Sequence, residues 1–439
     1  MGLPARSGSL GIALDNPSPP SASGSLRGRR SRARWPERAL RCVALCAIAV
    51  EALWYGIHEV RGFGPALADG VRAVVGPAPV AWAEDVAYGV ADRLNRTLYR
   101  DAAPKTFWEP PPAAAAAEAV ESAEGPEAET VTSPASFQPP FPEVAATGDG
   151  VWTPIGDSAA RPGEAQVLWK SVVHPDPKRV FAAIAVVAID LGRVDLRLVA
   201  GTKEPFSPDI PAERRPGLVP GGHAAELVAA FNGGFKAMHG HYGMMLDGDT
   251  FLPPRDRACT IALYRSGAVR IRTWPELRDG EARMAAYRQT PPCLVEQGEL
   301  HHALYDSNRD WGATVSGETV IRRSALGVDA TGKLLFYGLG EAVTARSLAR
   351  GMKAAGAHDV AELDVNHAYP RFLLYDRGAD GAGPRASSAL IPDVQFKPEE
   401  YVAEPAQRDF FYLRRRRPSA PLGIADPAPE SDALERGGR

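Results

Sequence analysis

The chain of 439 residues is poor in cysteine. Four cysteines are too few for a disulfide scaffold, and without a Cys-x-x-Cys pair a structural zinc site is not expected. It is also poor in net charge: 50 basic and 53 acidic residues leave −3, so nothing global draws it to nucleic acid. No repeat period appears, which argues against solenoids and propellers. Long apolar runs are scarce. The stretch from Val43 to Ile57 is apolar except for Glu51. As a helix it rises only about 22 Å, short of a ~30 Å hydrocarbon core. The hydrophobic share of 45% still excludes disorder throughout, and the length holds one large domain with appendages or two modest ones.

What is present is unevenly placed. Residues 1–38 are rich in Ser, Pro and Gly and then in arginine (Arg27, Arg29, Arg30, Arg32, Arg34, Arg38), a disordered basic tail. Residues 39–58 read as a membrane anchor helix, with Ala39 and Leu40 lengthening the span and Arg41 snorkelling back. The arginines on one flank place the amino terminus in the cytoplasm and the remainder outside it, in a periplasm or at the cell surface. Glu51 opposes this reading, since a mid-membrane carboxylate costs roughly 2.5–3.5 kcal/mol. A buried helix and a cleaved signal peptide are the alternatives.

Within 59–100, Val86, Val90, Leu94 and Leu98 recur every fourth residue, the stripe of an amphipathic helix that packs or docks on a membrane surface or partner helix. Residues 101–149, with Pro110-Pro111-Pro112, an alanine run and Glu-rich sequence, read as a disordered linker. Residues 414–439 open with four arginines and read as a disordered tail with a solvated charge run.

The folded domain is expected over 150–413. Val180–Ile189 suits a buried strand, and Val194, Leu196 and Leu198 alternate on the next. Ala224–Ala229 reads as a short helix before a turn at Asn232-Gly233-Gly234 that calls for glycine dihedrals. Further strands are expected at Thr260–Tyr264, Val269–Trp274, Ser324–Val328, Lys333–Tyr337, Val360–Leu363 and Phe372–Tyr375. Thr344–Ala355 reads as a helix that Gly356 stops. Strands outnumber helices and hairpins dominate, so the class is α+β with a mixed, mostly antiparallel sheet.

The order of several short motifs is specific. Ala230-Phe-Asn-Gly-Gly-Phe235 precedes Tyr242-Gly243 and Asp247-Gly248-Asp249. Gln289-Thr-Pro-Pro-Cys-Leu-Val-Glu-Gln-Gly298 follows, then Arg323-Ser-Ala-Leu-Gly-Val-Asp-Ala-Thr-Gly332, then Glu362-Leu363-Asp364. Over about 180–413 this resembles the phosphodiester glycosidase family. The resemblance implies hydrolysis of a sugar-1-phosphate diester and a carbohydrate or sugar-phosphate partner. It carries over Asn232-Gly233-Gly234, Arg323 and Asp364 as site positions. Where the family continues Leu-Asp-Gly-Gly-Gly-Ser, this chain reads Leu363-Asp364-Val365-Asn366-His367-Ala368. A valine, an amide and an imidazole replace a loop whose backbone amides would approach a ligand closely.

The side chains support the same chemistry. An arginine fork such as Arg323 meets a phosphate well. Asp364 or His367 is placed to move a proton, and partial burial would raise the Asp364 pKa toward a useful acid. Asn232 and Asn366 suit sugar hydroxyls, and His239 and His241 follow the glycine turn in the same region. Each has a plainer counterpart as a turn cap, a turn amide, an exposed strand residue or a loop histidine. Glu341 and Glu362 are further acids. No cofactor is called for, although the histidines with Asp364 have the chemistry for a divalent metal. Cys259 and Cys293 either pair, if the compartment is oxidising, or stay free. Besides an extracytoplasmic, membrane-anchored hydrolase, a non-catalytic glycan-binding protein and an envelope scaffold fit the sequence.

Overall fold

The computed structural model describes residues 41–46, 48–49, 51–52, 55–56, 67, 70–71, 74–109, 133–306, 311, 319–378 and 383–417. The chain divides after Gly64 into two units. In the first, the described residues are helical. Among the described residues no helix is long and apolar enough to cross a membrane, and the span expected over 39–58 lies partly outside them.

The second unit opens with α1 (Pro77–Leu98) and continues through β1 (Thr153–Pro154), β2 (Leu168–Val173), β3 (Ala183–Asp190), β4 (Val194–Val199) and β5 (Leu227–Asn232). Next come β6 (Met244–Leu246), β7 (Asp249–Leu252), β8 (Cys259–Tyr264), β9 (Val269–Thr273), β10 (Met284–Thr290), β11 (Val295–Glu296) and β12 (Glu299–Leu300). The rest are β13 (Ile321–Val328), β14 (Leu334–Val343), α2 (Ala345–Ala354), β15 (Asp359–Val365), β16 (Phe372–Asp376), β17 (Arg385–Ala389) and β18 (Phe410–Arg415). They form one eight-stranded sheet, β1-β2-β3-β14-β13-β15-β11-β12, and two five-stranded sheets, β7-β6-β10-β8-β9 and β17-β16-β5-β18-β4. The pairings are antiparallel throughout these strands.

The strand β3 shows why its sequence is a continuous apolar run rather than an alternation. Ala185, Val187 and Ile189 join the core shared with the five-stranded sheets, and Ile184, Val186 and Ala188 face the core beneath α2. A strand covered on both faces needs apolar residues at every position. Thr344 caps α2, its hydroxyl accepting from the Ser347 amide while the Ser347 hydroxyl accepts from the Thr344 amide. Leu348, Ala349 and Met352 bury the inner face, and Gly356, at φ 105°, ends the helix in the left-handed region.

Several sequence expectations change. Ala224–Ala229 is not a helix. A 3-10 turn over Gly221–Glu226 leads directly into β5, because Leu227 to Asn232 is wholly buried and pairs with β16 and β18. The linker expected over 101–149 is pinned at both described ends. Phe107 and Trp108 pack against the core, Val144 is buried, and buried His174 bridges Asp149 at 2.9 Å and the Lys105 carbonyl at 2.9 Å. The arginines at the carboxy end are not a solvated run. Arg415 pairs with Asp157 at 2.8 Å, Arg416 with Asp195 at 2.7 Å, and Arg417 with Glu164. Cys259 and Cys293 form a disulfide.

Candidate functional site

Two chain reversals meet where β5 and β15 end. The Asp364 amide donates to the Gly233 carbonyl at 3.2 Å, and the Ser324 hydroxyl bridges the Asn232 amide nitrogen at 2.9 Å and the Asp364 carbonyl at 2.9 Å. Asn232 is fully buried. Its carbonyl oxygen accepts from the Tyr337 hydroxyl and the Arg371 amide, so its side chain holds the turn together.

Gly233 and Gly234 are needed for a different reason from the one expected. Neither lies at positive φ. A Cβ on Gly233 would stand 2.2 Å from Asp409 Oδ2, and one on Gly234 would stand 2.8 Å from the Arg288 guanidinium carbon. Here glycine allows close approach by an ion pair. Arg288 and Asp409, both buried, pair at 2.9 Å, and Asp409 also accepts from the Gly234 amide at 3.0 Å.

A register shift in the β13–β15 ladder lies between Arg323 and Ala325. Bulges of this kind re-aim side chains. Across it Arg323, opposite Val365, pairs with Glu362 at 2.8 Å and donates to the Trp311, Thr319 and Val343 carbonyls. Asp364, next to Val365, pairs instead with Arg408 at 2.5 Å and accepts from the Asn366 side-chain amide at 3.0 Å. Arg323 and Asp364 are thus neighbours in the ladder with separate partners. Glu362 is fully buried, and its Oε2 has no hydrogen-bond partner among the described residues. Burial pushes its carboxyl up to about 7, against the pull of Arg323.

Arg408 is the centre of the arrangement. It donates to the Gly234 carbonyl at 2.9 Å, pairs with Asp364, and lies 3.9 Å from the centroid of the Tyr369 ring. Burial alone would lower its pKa, but Asp364, Tyr369 and Asp409 hold it above the usual value. Part of its side chain still reaches solvent.

The loop after β15 is ordered by its own chemistry. Asn366 Oδ1 accepts from the Ala368 and Tyr369 amides, closing a turn. Arg322 donates to the His367 carbonyl at 2.7 Å, and Arg371 to the Ala368 and Tyr369 carbonyls at 2.5 and 3.2 Å. His367 is exposed at the tip. His239 and His241 are exposed in the turn that follows Phe235, with His241 at φ 50°. Among the described residues no three His, Cys, Asp or Glu side chains gather in the manner of a metal site.

Arg288, Tyr369, Arg408 and Asp409 were missed in the sequence. Arg288 directly precedes the Gln289-Thr-Pro-Pro motif, and Arg408-Asp409 is a charged pair abutting Phe410-Phe411; those were the available signals.

The region that supplies this junction has a recognisable counterpart. Residues 225–364 match the phosphodiester glycosidase family model. Over that stretch the chain resembles the phosphodiester glycosidases. The match takes in Asn232, Gly233, Gly234, Arg288, Arg323 and Glu362 and ends at Asp364, where the chain departs from the family's glycine-rich continuation. No curated protein sequence matches the chain. Among solved structures, the catalytic domain of zebrafish N-acetylglucosamine-1-phosphodiester alpha-N-acetylglucosaminidase, auto-inhibited by its pro-peptide, is 14% identical over 60% of this chain and 88% of that one, with a TM-score of 0.38. A hypothetical protein from Synechocystis is 11% identical over 57% of this chain and 62% of its own, with a TM-score of 0.32.

Proposed function

We propose that the chain hydrolyses a sugar-1-phosphodiester of the cell envelope or of exported polysaccharide. The observation that carries the reading is the meeting of Asp364 and Arg408 at the Gly233–Gly234 turn, beside the stretch that matches phosphodiester glycosidases. In hydrolysis the water oxygen bonds to sugar C1 and the bond from C1 to the phosphate oxygen breaks. Its electron pair leaves with the phosphate, and the water proton passes to a base. The departing phosphate monoester is a weak base, so it needs positive charge more than a proton. Arg408, whose side chain partly reaches solvent, takes that role in place of Arg323, which is fully buried. Asp364, oriented by Asn366, faces the developing positive charge on the ring. Exposed His367 accepts the water proton, and His239 and His241 supply contacts to sugar hydroxyls.

The same proposal places the domain outside the cytoplasm on an anchor at 39–58. The Cys259–Cys293 disulfide supports an oxidising compartment. A protease-protection assay on intact cells tests this part.

The catalytic part is tested by reducing-sugar release from a panel of aryl sugar-1-phosphodiesters. Arg408→Gln should lower kcat/KM on the order of a hundredfold, as loss of a charge-stabilising donor does. Arg408→Lys should recover part of it at an unchanged unfolding midpoint. A second reading, a non-catalytic glycan-binding or scaffolding protein, is favoured by the loop 366–369, whose backbone carbonyls are taken up by Arg322 and Arg371. Saturable binding without turnover by the wild-type chain would decide for it.

A further inference from the structure

Exposed large apolar side chains are concentrated in one stretch of the sequence. Of the sixteen among the described residues, thirteen lie between Val43 and Tyr99, and only Phe206, Met238 and Tyr305 lie elsewhere. Nine belong to the second unit, at and just before α1: Val71, Val74, Val75, Trp82, Val86, Val90, Leu94, Leu98 and Tyr99.

The helix α1 is docked by its polar side. Asp92 is buried and receives two hydrogen bonds from Arg179, at 2.7 and 2.8 Å, and Arg179 is held in turn by Asp176 at 2.7 Å. At about 100° per residue, Trp82, Val86, Val90, Leu94 and Leu98 cover an arc of roughly 160° whose middle lies nearly opposite Asp92. The apolar face therefore looks away from the domain, with each of these five side chains 47–64% exposed.

One border of that face is basic. Arg93, Arg96 and Arg100 run along it, and with Lys178 they line a cleft between the end of α1 and the loop at 177–181, floored by Tyr99 against Phe181. An apolar arc with tryptophan near its start, tyrosine at its end and guanidinium groups along its edge is the pattern of a helix lying in the plane of a bilayer surface. A partner helix would be served by the apolar arc alone. Of the acids near these four cations, Asp92 and Asp176 are buried and both already paired with Arg179, so the cations match the negative surface of anionic lipid.

We infer that α1 seats the domain on an anionic phospholipid bilayer, with Trp82, Val86, Val90, Leu94 and Leu98 in the acyl–headgroup boundary and Arg93, Arg96, Arg100 and Lys178 on lipid phosphates. This contact is separate from any anchor at 39–58 and from the hydrolytic proposal. It fixes the orientation of the domain, where an anchor alone would leave it tethered.

The test reads the helix locally in the full chain. A nitroxide is placed on Val90→Cys, in a chain carrying Cys42→Ser and Cys46→Ser, and on exposed Ser266→Cys as a control. Collision with oxygen and with a water-soluble relaxation agent is measured on vesicles of equal parts phosphatidylcholine and phosphatidylglycerol, and on phosphatidylcholine alone. Immersion of the label at 90 on the anionic vesicles only, with the label at 266 in water, supports the inference. Arg93→Gln, Arg96→Gln and Arg100→Gln together should then lower the immersed-to-free ratio on the order of a hundredfold at low salt. A label at 90 in water on both vesicles overturns it, even where the chain cosediments through its anchor. Equal immersion on both vesicles overturns the choice of anionic lipid. Immobilisation without vesicles that grows with protein concentration overturns it in favour of a second copy.

Discussion

Replacing Arg288 by methionine tests how the glycine turn is held. The side chain is fully buried, so nothing solvates what the change leaves behind. Five hydrogen bonds go: two to Asp409 at 2.9 and 3.4 Å, and one each to the carbonyls of Tyr242, Gln289 and Phe235 at 3.1, 2.9 and 2.5 Å. Asp409 keeps the Gly234 amide as a donor and the more distant charge of Arg408, but loses the guanidinium paired with it. Breaking a buried ion pair by removing one member costs about 3–5 kcal/mol, chiefly from the charge left alone. For a domain of this size that lowers Tm by roughly 10 °C. The attribution is checked with a double-mutant cycle in urea using Arg288→Met, Asp409→Ala and the pair. With the lone carboxylate also gone, the double variant should fall short of the sum of the singles by about 2–3 kcal/mol. Additive singles, or an Arg288→Met cost under about 1 kcal/mol, would refute the idea that this pair fixes the turn.

Glu362 supplies a pH signature. Its folded pKa of about 7 lies above the ordinary value of 4.5, so its contribution is fully present below the ordinary value and is lost as pH rises through the folded one. Urea unfolding at about pH 5 and about pH 8 should show a wild-type loss near 3 kcal/mol that Glu362→Gln removes; equal pH dependence in both chains would exclude Glu362 as the source. Asp92→Ala should free α1 without moving the global midpoint, and hydrogen exchange over 86–98 should accelerate about a hundredfold, the equivalent of two charge-assisted bonds. Unchanged exchange there would mean the helix is held by other contacts. Cys259→Ser with Cys293→Ser opens a loop of sequence separation 34 and should cost about 3–4 kcal/mol in urea unfolding, a loss that reduction of the wild type should reproduce.

The class and most of the central strands were legible because burial writes directly into sequence. A strand covered on both faces, such as β3, reads as a continuous apolar run, and α2 carries its cap, its apolar stripe and its terminal glycine. Ala224–Ala229 misled because alanine, a good helix former, recurs in a segment that is a 3-10 turn running into a wholly buried strand. Asn232, Gly233, Gly234 and Asp364 were legible as a cluster, since their order resembles a family. Their partners were not, because an ion pair such as Arg288 with Asp409 joins residues 121 apart, and no local pattern encodes that distance. Arg323 and Asp364 sit at a ladder irregularity and take separate partners, which neither residue's neighbours announce.

The last strand carries a consequence for how the molecule is made. The strand β18 lies between β5 and β4 rather than at an edge, and the two residues before it, Arg408 and Asp409, complete both ion pairs at the glycine turn. A ribosome must therefore deliver the chain through residue 415 before this sheet can close. Until then β5 and β4 each wait with an unpaired flank, and the junction has neither of its carboxy-terminal charges. Vectorial synthesis thus keeps the chain without a finished site until residues 408–415 emerge, and a nascent chain cut short of residue 408 would carry every residue of the family match and neither Arg408 nor Asp409.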